Sequence, residues 1–490
     1  MKTHNIKALH GYIAVLVSFF LFSSISFSQG VSDALRVGIS GLGSDARALG
    51  MGDSYIGLSD DASASFFNPA GFGLIKRIEF SGGLDYTNSS TNTNFFNNAV
   101  SGSYSATRLN NLSLALPFPT TQGSLVFGIS YHQTNAFENE IKFNGFNGGN
   151  NSYIQYLTGF NSNVPYDLYL SYPFYNNQNI YIRDTSIFHG NLNQSGDILN
   201  SGSINNWTFS GAVEVAQNLF VGINLNIING DYASNNDYYE DDTHNLYQGA
   251  AALDTAAFLS TDFRTFHINQ VLNWGISGWN AKVGMLYQLK DNARLGITIQ
   301  FPKTYDIKEN FTYTAESDFA NAQYQYGPDN SPVKYSIVTP YEIGAGLSYN
   351  LKGLILSGQA TLIDYSQLKF DNPDGLTQQY IDDQNKNIKD ALGPVINYNV
   401  GAEYTIPDQG IRLRVGYIGE PSPYKNDPPK YSRKYITGGV GFLFAESFAV
   451  DLGYAHGWWS TYGDNYGSGV SRTYQDLTLD KLILTTTFRF

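Results

Sequence analysis

Three stretches of the chain carry residue types that could do chemistry. DDASASFFNPAGFG (Asp60 to Gly73) joins two carboxylates to small residues and an Asn-Pro turn. Gly41-Leu42-Gly43 and Gly50-Met51-Gly52 superficially match a dinucleotide loop. That fingerprint needs a buried strand before it and a helix after it, and neither is evident, so these glycines read as close backbone packing. DYYEDDTH (Asp237 to His244) gathers hard oxygen donors. Its spacing lacks the order of a calcium loop, and it reads as a solvated acidic loop. His132 and His456 end alternating segments and could meet a serine, but no G-x-S-x-G elbow accompanies them. The expectation is a protein with no catalytic residues, no cofactor and no metal.

The elements that must position these residues are strands. Among 490 residues, 36 Tyr and 32 Phe lift aromatics to 15%, charged residues are only 14%, and there are 49 Gly. Aromatics favour pleated surfaces and glycine serves turns. A net charge of -13 without a basic patch argues against nucleic acid. The absence of cysteine excludes disulfides, thiolate metal sites and a lipidated cysteine anchor. At the N-terminus, Lys2 and Lys7 precede an apolar run from Tyr12 to Phe22 and the small residues Ser26 and Ser28. The run is shorter than the roughly 20 residues of a spanning helix, so residues 1–28 read as a secretory signal peptide.

The mature chain alternates with period two. Ile78, Phe80, Leu84 and Tyr86 oppose Glu79, Ser81 and Asp85; Leu413, Val415 and Tyr417 oppose Arg412 and Arg414. Each such segment has one apolar and one polar face. Fourteen candidate strands start near residues 77, 109, 123, 206, 219, 275, 293, 338, 354, 395, 411, 434, 448 and 480. Short turns such as AQN, KDNA and PDQG alternate with long connections, the longest running from His132 to Asn206. Short turns on one side and long loops on the other mark an outer-membrane barrel, with both termini in the periplasm. KLILTTTFRF closes the chain as an amphipathic strand with Phe488 and Phe490 on its apolar face, and Trp458 and Trp459 stand where an interfacial girdle belongs. The fold class is all-β: a 14-stranded antiparallel transmembrane barrel spanning residues 77–490. Glu214, Lys282, Arg294, Glu342, Glu403, Arg412, Arg414 and Asp451 fall on the inner face, where charges pair, meet water or contact a ligand. Residues 29–76 lack alternation, and a barrel of this width needs filling, so they read as a lumenal hatch.

The hatch segment also carries a resemblance. Ala46-Arg47, Gly50-Met51-Gly52, Asp60-Asp61-Ala62-Ser63 and Asn68-Pro69-Ala70-Gly71 resemble the N-terminal hatch of FadL/TodX-type outer-membrane transporters, in the form common in Bacteroidetes. Weaker echoes follow in ARLGITIQFP (Ala293–Pro302), DYS (Asp364–Ser366) and LRVGYIGEPSPY (Leu413–Tyr424). The resemblance implies passive uptake of small hydrophobic compounds, fatty acids or aromatic hydrocarbons, across a Gram-negative outer membrane. It casts Arg47, Gly50, Gly52, Asp60, Asp61, Asn68, Pro69, Ala70 and Gly71 as hatch and gating residues. Exit would follow a shift of the hatch or a lateral gap in the wall. Besides the ligand, the implied partners are outer-membrane lipid, lipopolysaccharide and the barrel-assembly machinery. PorV-like relatives share the hatch signature, and the polar loop after His132 leaves room for the alternative of a non-transporting adaptor that docks a protein partner.

Overall fold

A computed structural model describes residues 30–159, 162–289 and 292–490, so the expected signal peptide lies outside the described residues. The wall runs through β1 (Glu79–Phe95), β2 (Asn98–Phe118) and β3 (Leu125–Ala136), which continues as β4 (Asn139–Asn147). A detached hairpin, β5 (Tyr172–Tyr175) and β6 (Tyr181–Thr185), interrupts the sequence before β7 (Leu192–Ala216), β8 (Leu219–Asp241) and β9 (Phe263–Leu289). Then β10 (Ala293–Gln300) continues as β11 (Thr304–Phe319), β12 (Gln323–Val338) as β13 (Glu342–Leu351), and β14 (Leu354–Asp364) as β15 (Lys369–Asp374). The wall ends with β16 (Pro394–Ile406), β17 (Ile411–Glu420), β18 (Arg433–Phe444), β19 (Phe448–Asp464) and β20 (Arg472–Arg489).

Eighteen of these segments share one sheet. Because four strands are each interrupted once, the described residues form fourteen strands. Pairing of β1 with β20, from Glu79↔Arg489 to Asn94↔Tyr474, closes the barrel. Closure pairs every backbone amide at the seam, which hydrocarbon demands. Two of the interruptions fall at Pro302 and Pro340, whose missing N–H cannot serve a ladder.

The faces sort as the alternation predicts. Phe80, Leu84, Ile223, Leu225 and Val415 project outward, while Glu79, Ser81, Asp85, Asn224 and Arg414 are buried inside. Several strands are longer than expected: β2 starts at Asn98 rather than 109, and β7 at Leu192 rather than 206. Their outer halves are rich in Asn, Ser and Thr, stand beyond the apolar band, and so carry no apolar period to read. The expected loop from His132 to Asn206 therefore shrinks to residues 148–191. Despite its polar composition it folds into a cap: Tyr153, Ile154, Leu157 and Phe188 pack with Phe143, Tyr238 and Phe263 over the extracellular mouth.

Placing a lysine on the outer apolar band should be costly. Ile223→Lys is expected to destabilise the barrel by about 2–4 kcal/mol, read from urea unfolding in lipid bilayers.

Candidate functional site

Residues 30–75 fill the lumen with short pieces rather than a long element. A helix at Val31–Gly38 leads to a turn of helix at Ala46–Gly50 capped by Asp45, whose side chain accepts from Ala48 N at 2.7 Å. One-turn 3-10 helices follow at Ala62–Ser65, capped by Asp61, and at Pro69–Leu74, capped by Asn68. The Asn68-Pro69 turn thus has a local cause: the Asn68 carboxamide oxygen accepts from Ala70 N, and Pro69 presets the first helical φ. The same carboxamide reaches the wall, donating to Met285 O at 3.2 Å.

The segment lies against the inner wall with backbone touching backbone. A Cβ on Gly346 would fall 2.8 Å from Gly57 N, and one on Gly52 2.8 Å from Val400 O. Gly401 and Gly416 are equally tight against Met51 and Gly52, and Gly222 against Pro69. Hydrogen bonds secure the same seam. Asn399 donates to Gly52 O at 2.8 Å, and Gln359 Oε1 accepts from Tyr55 N and Ile56 N at 2.8 and 2.9 Å.

Arg47 is the centre of the charge network. Its guanidinium grips both Glu403 oxygens at 2.9 and 3.0 Å and also reaches Asp60 at 2.7 Å and Asp61 at 2.9 Å. Arg294 shares Asp60, Arg414 shares Glu403 and reaches Asp451, and Tyr55 OH donates to Asp61 at 2.5 Å. Lys282 donates to Phe66 O at 2.6 Å, Glu342 lies 3.6 Å from Lys303, and Arg412 borders a small cavity beside Asp45 and Arg47. The structure brings all of the sequence-predicted inner charges to this segment or the lumen above it except Glu214, which accepts from Asn218 N at a periplasmic turn. Sequence reasoning missed Asp45, Gln359, Asn399 and Lys303. It also missed the seam pair Glu79–Arg489, at 2.7 Å, although both residues sit at inward positions of the first and last strands.

Among the carboxylates of the lumenal segment, burial pushes Asp45 up to about 7, with the Asp61 charge adding, and pushes Asp53 up to about 6. Burial would also raise Asp60, but Arg47 and Arg294 outweigh it and hold Asp60 below the usual carboxylate range.

Above the lumenal segment, the wall's hydrogen-bond ladder is incomplete. β2 pairs with β1 along its length, yet its ladder to β3 covers only Asn111↔His132 through Phe118↔Leu125. Beyond Gln133 the third strand shifts register and stays paired with β7 alone. Side chains bridge the parted edges: Arg108 pairs with Glu138, Ser103 N donates to Glu140 at 3.0 Å, and Asn98 to Asn144 O at 2.8 Å. The lumenal segment fills in behind, with Gly41 N donating to Thr134 O at 2.8 Å and Asn135 to Ile39 O at 2.6 Å. A cavity of about 630 Å³ meets this break. Leu35, Ile39, Phe137, Tyr435 and Trp459 give it an apolar side. Trp459 accordingly faces the cavity with Arg433 over its ring, and does not join an outer girdle as expected.

The other chemical candidates resolve into packing. His132 Nε2 lies 2.6 Å from Ser65 Oγ, but its Nδ1 has no carboxylate to orient it. The Asp237–His244 carboxylates disperse: Asp237 to His267, Glu240 to Tyr153 N, Asp241 to Thr265 and Asp242 to Leu246 N. Among the described residues no group of three or more potential metal ligands converges.

This arrangement of filled lumen, interrupted third strand and side cavity can be set beside known proteins. The family model of outer membrane protein transport protein (OMPP1/FadL/TodX) matches residues 36–481. The chain belongs to this family. The family is one of outer-membrane transport proteins, not an enzyme class. No curated protein matches in sequence. Among solved structures, a Pseudomonas aeruginosa FadL homologue is 12% identical, with 92% of this chain and 100% of that one covered and a TM-score of 0.58. The P. putida toluene transporter TodX is 14% identical, with 92% and 99% covered and a TM-score of 0.55. At these identities the FadL/TodX likeness speaks for the fold.

Crowding the seam should loosen the segment. Gly416→Val is expected to raise protease nicking within residues 41–58, whereas Gly358→Ala, which faces open space, should leave it unchanged. The pH response has a definite sign. Asp45 and Asp53 have raised values, so their contribution is fully present below the ordinary 3.8 and is lost as pH rises through 6 and 7. Asp60 does the reverse, losing its contribution as pH falls below the ordinary range. Amide protection of residues 41–58, corrected for intrinsic exchange, should increase from pH 8 to pH 5, and Asp53→Asn should flatten part of that rise.

Proposed function

We propose that the protein passes small hydrophobic compounds through the outer membrane by a route that leaves the barrel sideways. The observation that carries this reading is the meeting of the 630 Å³ cavity with the break between β2 and β3, directly above a lumen filled by residues 30–75. A compound entering beneath the extracellular cap finds Leu35, Ile39 and Trp459 on one side and the parted wall on the other. Its straight path to the periplasm is occupied by the Arg47 network, where an apolar molecule would have to displace paired charges. Residues 30–75 act as a hatch in this reading, and the turn at Asn68-Pro69 anchors them.

Membership of the FadL/TodX family supports hydrophobic cargo, and the structural relative named as a toluene transporter makes monoaromatic compounds a natural first test. A second reading has one observation in its favour. Phe174, Tyr175, Ile180, Tyr181 and Ile182 stand half exposed on the β5–β6 hairpin, as a surface that docks a protein partner would. On that reading the barrel is an adaptor with no cargo.

Uptake of labelled toluene and oleate by cells carrying or lacking the gene separates the two. Equal uptake in both strains, together with a stoichiometric protein partner on co-purification, would overturn the transport reading. Asn68→Ala combined with Pro69→Gly should unfasten the hatch and raise sensitivity to vancomycin above that of cells carrying the native protein; unchanged sensitivity would count against a lumenal plug.

A further inference from the structure

Two charged side chains face the side cavity without an ion-pair partner. Glu420 ends β17 and Arg433 begins β18, and the two stand directly opposite each other in the ladder. Opposite charges so placed ordinarily pair across the strands. Here the guanidinium instead lies over the Trp459 ring, 5.2 Å from its centroid, beside the Tyr435 hydroxyl. Among the described residues none gives the Glu420 carboxylate a hydrogen bond or an ion pair, and no carboxylate lies within ion-pair distance of Arg433. Neither side chain is sealed off. Both are half-buried and both line the 630 Å³ cavity, and Glu420 also borders a second, polar cavity of about 140 Å³ in the lumen.

The other charges along the cavity are already taken. Arg36 is held by Asp33, Glu138 by Arg108, Lys481 by Asp85 and Asp464 by Arg472, while Asp427 accepts from Ser422 Oγ. Glu420 and Arg433 thus stand open side by side, with no net charge between them. A carboxylate head at Arg433 would sit beside the free Glu420, and an ammonium at Glu420 beside the free Arg433, so either charged head meets a like charge. A bare hydrocarbon leaves both groups unanswered. A carboxamide has a separate atom for each: its NH2 donates to the carboxylate, and its C=O accepts from the guanidinium, whose N–H groups are not all spent on Tyr435. The body of such a molecule has a place as well. From Arg433 the row continues to Trp459 on β19 and Leu477 on β20, which stand opposite each other and line the same cavity.

We propose that Glu420 and Arg433 form a subsite for an uncharged, dipolar head group, so that the preferred cargo is a hydrophobic carboxamide rather than a hydrocarbon, a carboxylate or an amine. The proposal rests on the reading of the side cavity as the cargo site. The two residues share the selection, because removing either charge leaves the other to favour a ligand of opposite sign.

The test uses the full-length protein in nanodiscs and four probes built on one tolyl skeleton: p-toluamide, toluene, p-toluate and 4-methylbenzylamine. Binding is read by calorimetry against empty nanodiscs. The expected result is p-toluamide binding about tenfold or more tightly than each of the others, because polar partners in a cavity discriminate against a molecule that cannot satisfy them. Glu420→Gln should move the preference to p-toluate, and Arg433→Gln should move it to 4-methylbenzylamine. A merely structural role for either residue would weaken all four probes alike. Toluene binding as tightly as p-toluamide would mean that water serves both groups, and would overturn the proposal while leaving the transport reading intact. Tightest binding of p-toluate or the amine to the native protein would overturn it in the same way, as would a p-toluamide preference that survives both substitutions. Binding of none of the four probes would remove the cargo-site reading and this proposal together. The probe series on the native protein decides the matter even where a variant fails to fold.

Discussion

The Arg47 guanidinium holds Glu403 on the wall and Asp60 and Asp61 on its own segment, and the arrangement of the lumen depends on that one cation. Residues 47 and 403 are distant in sequence, so the contact ties the start of the chain to a late strand. Leaving a buried charge without its partner costs about 3–5 kcal/mol, which makes the contact a strong determinant of where the segment sits. Around it the wall supplies glycines where the segment's backbone passes, and carboxamides where its amides and carbonyls need partners. Packing and polar satisfaction therefore select one docked position.

The same segment has a second duty at the wall. The third strand parts from β2 above Asn111↔His132, and the edge so created would leave backbone groups unpaired. Gly41 N of the lumenal segment meets part of that need by donating to Thr134 O, and the Asn135 side chain adds a second tie by donating to Ile39 O. The filled lumen and the interrupted wall are thus one structure: the segment that occupies the lumen also bonds to the free edge of the third strand. A displacement of residues 39–43 would alter the cavity and the break together.

Much of the fold was legible from period-two alternation. Phe80 and Leu84 outward with Glu79 and Asp85 inward follows from strand geometry alone, and so does the inward placement of Glu403, Arg414 and Asp451. Strand ends were less legible. Asn98–Arg108 and Leu192–Asn205 form strand beyond the apolar band, where neither face is greasy and no periodicity betrays them. The cap was misread for a related reason: its many Asn and Gly residues dominate the composition, while Tyr153, Ile154, Leu157 and Phe188 form the apolar side that packs. Trp459 was assigned to the girdle with Trp458, yet adjacent residues of a strand face opposite ways: alternation from the outward Leu452 and Tyr454 carries Trp458 outward and turns Trp459 to the cavity.

The sequence by itself determined a closed barrel with an apolar exterior, a charged interior and an N-terminal segment that is not part of the wall. These are local properties, written in alternation, in turn lengths and in the small residues and caps of Asp60–Gly73. Tertiary structure alone decided that Arg47 meets Glu403, that Gly346, Gly401 and Gly416 lie beneath the backbone of the lumenal segment, and that the ladder between β2 and β3 ends at Asn111↔His132. Each of these depends on two segments far apart in the chain arriving at the same height and the same face of the barrel. Alternation gives the face but not the height, which is set by strand register and by what the lumen must hold.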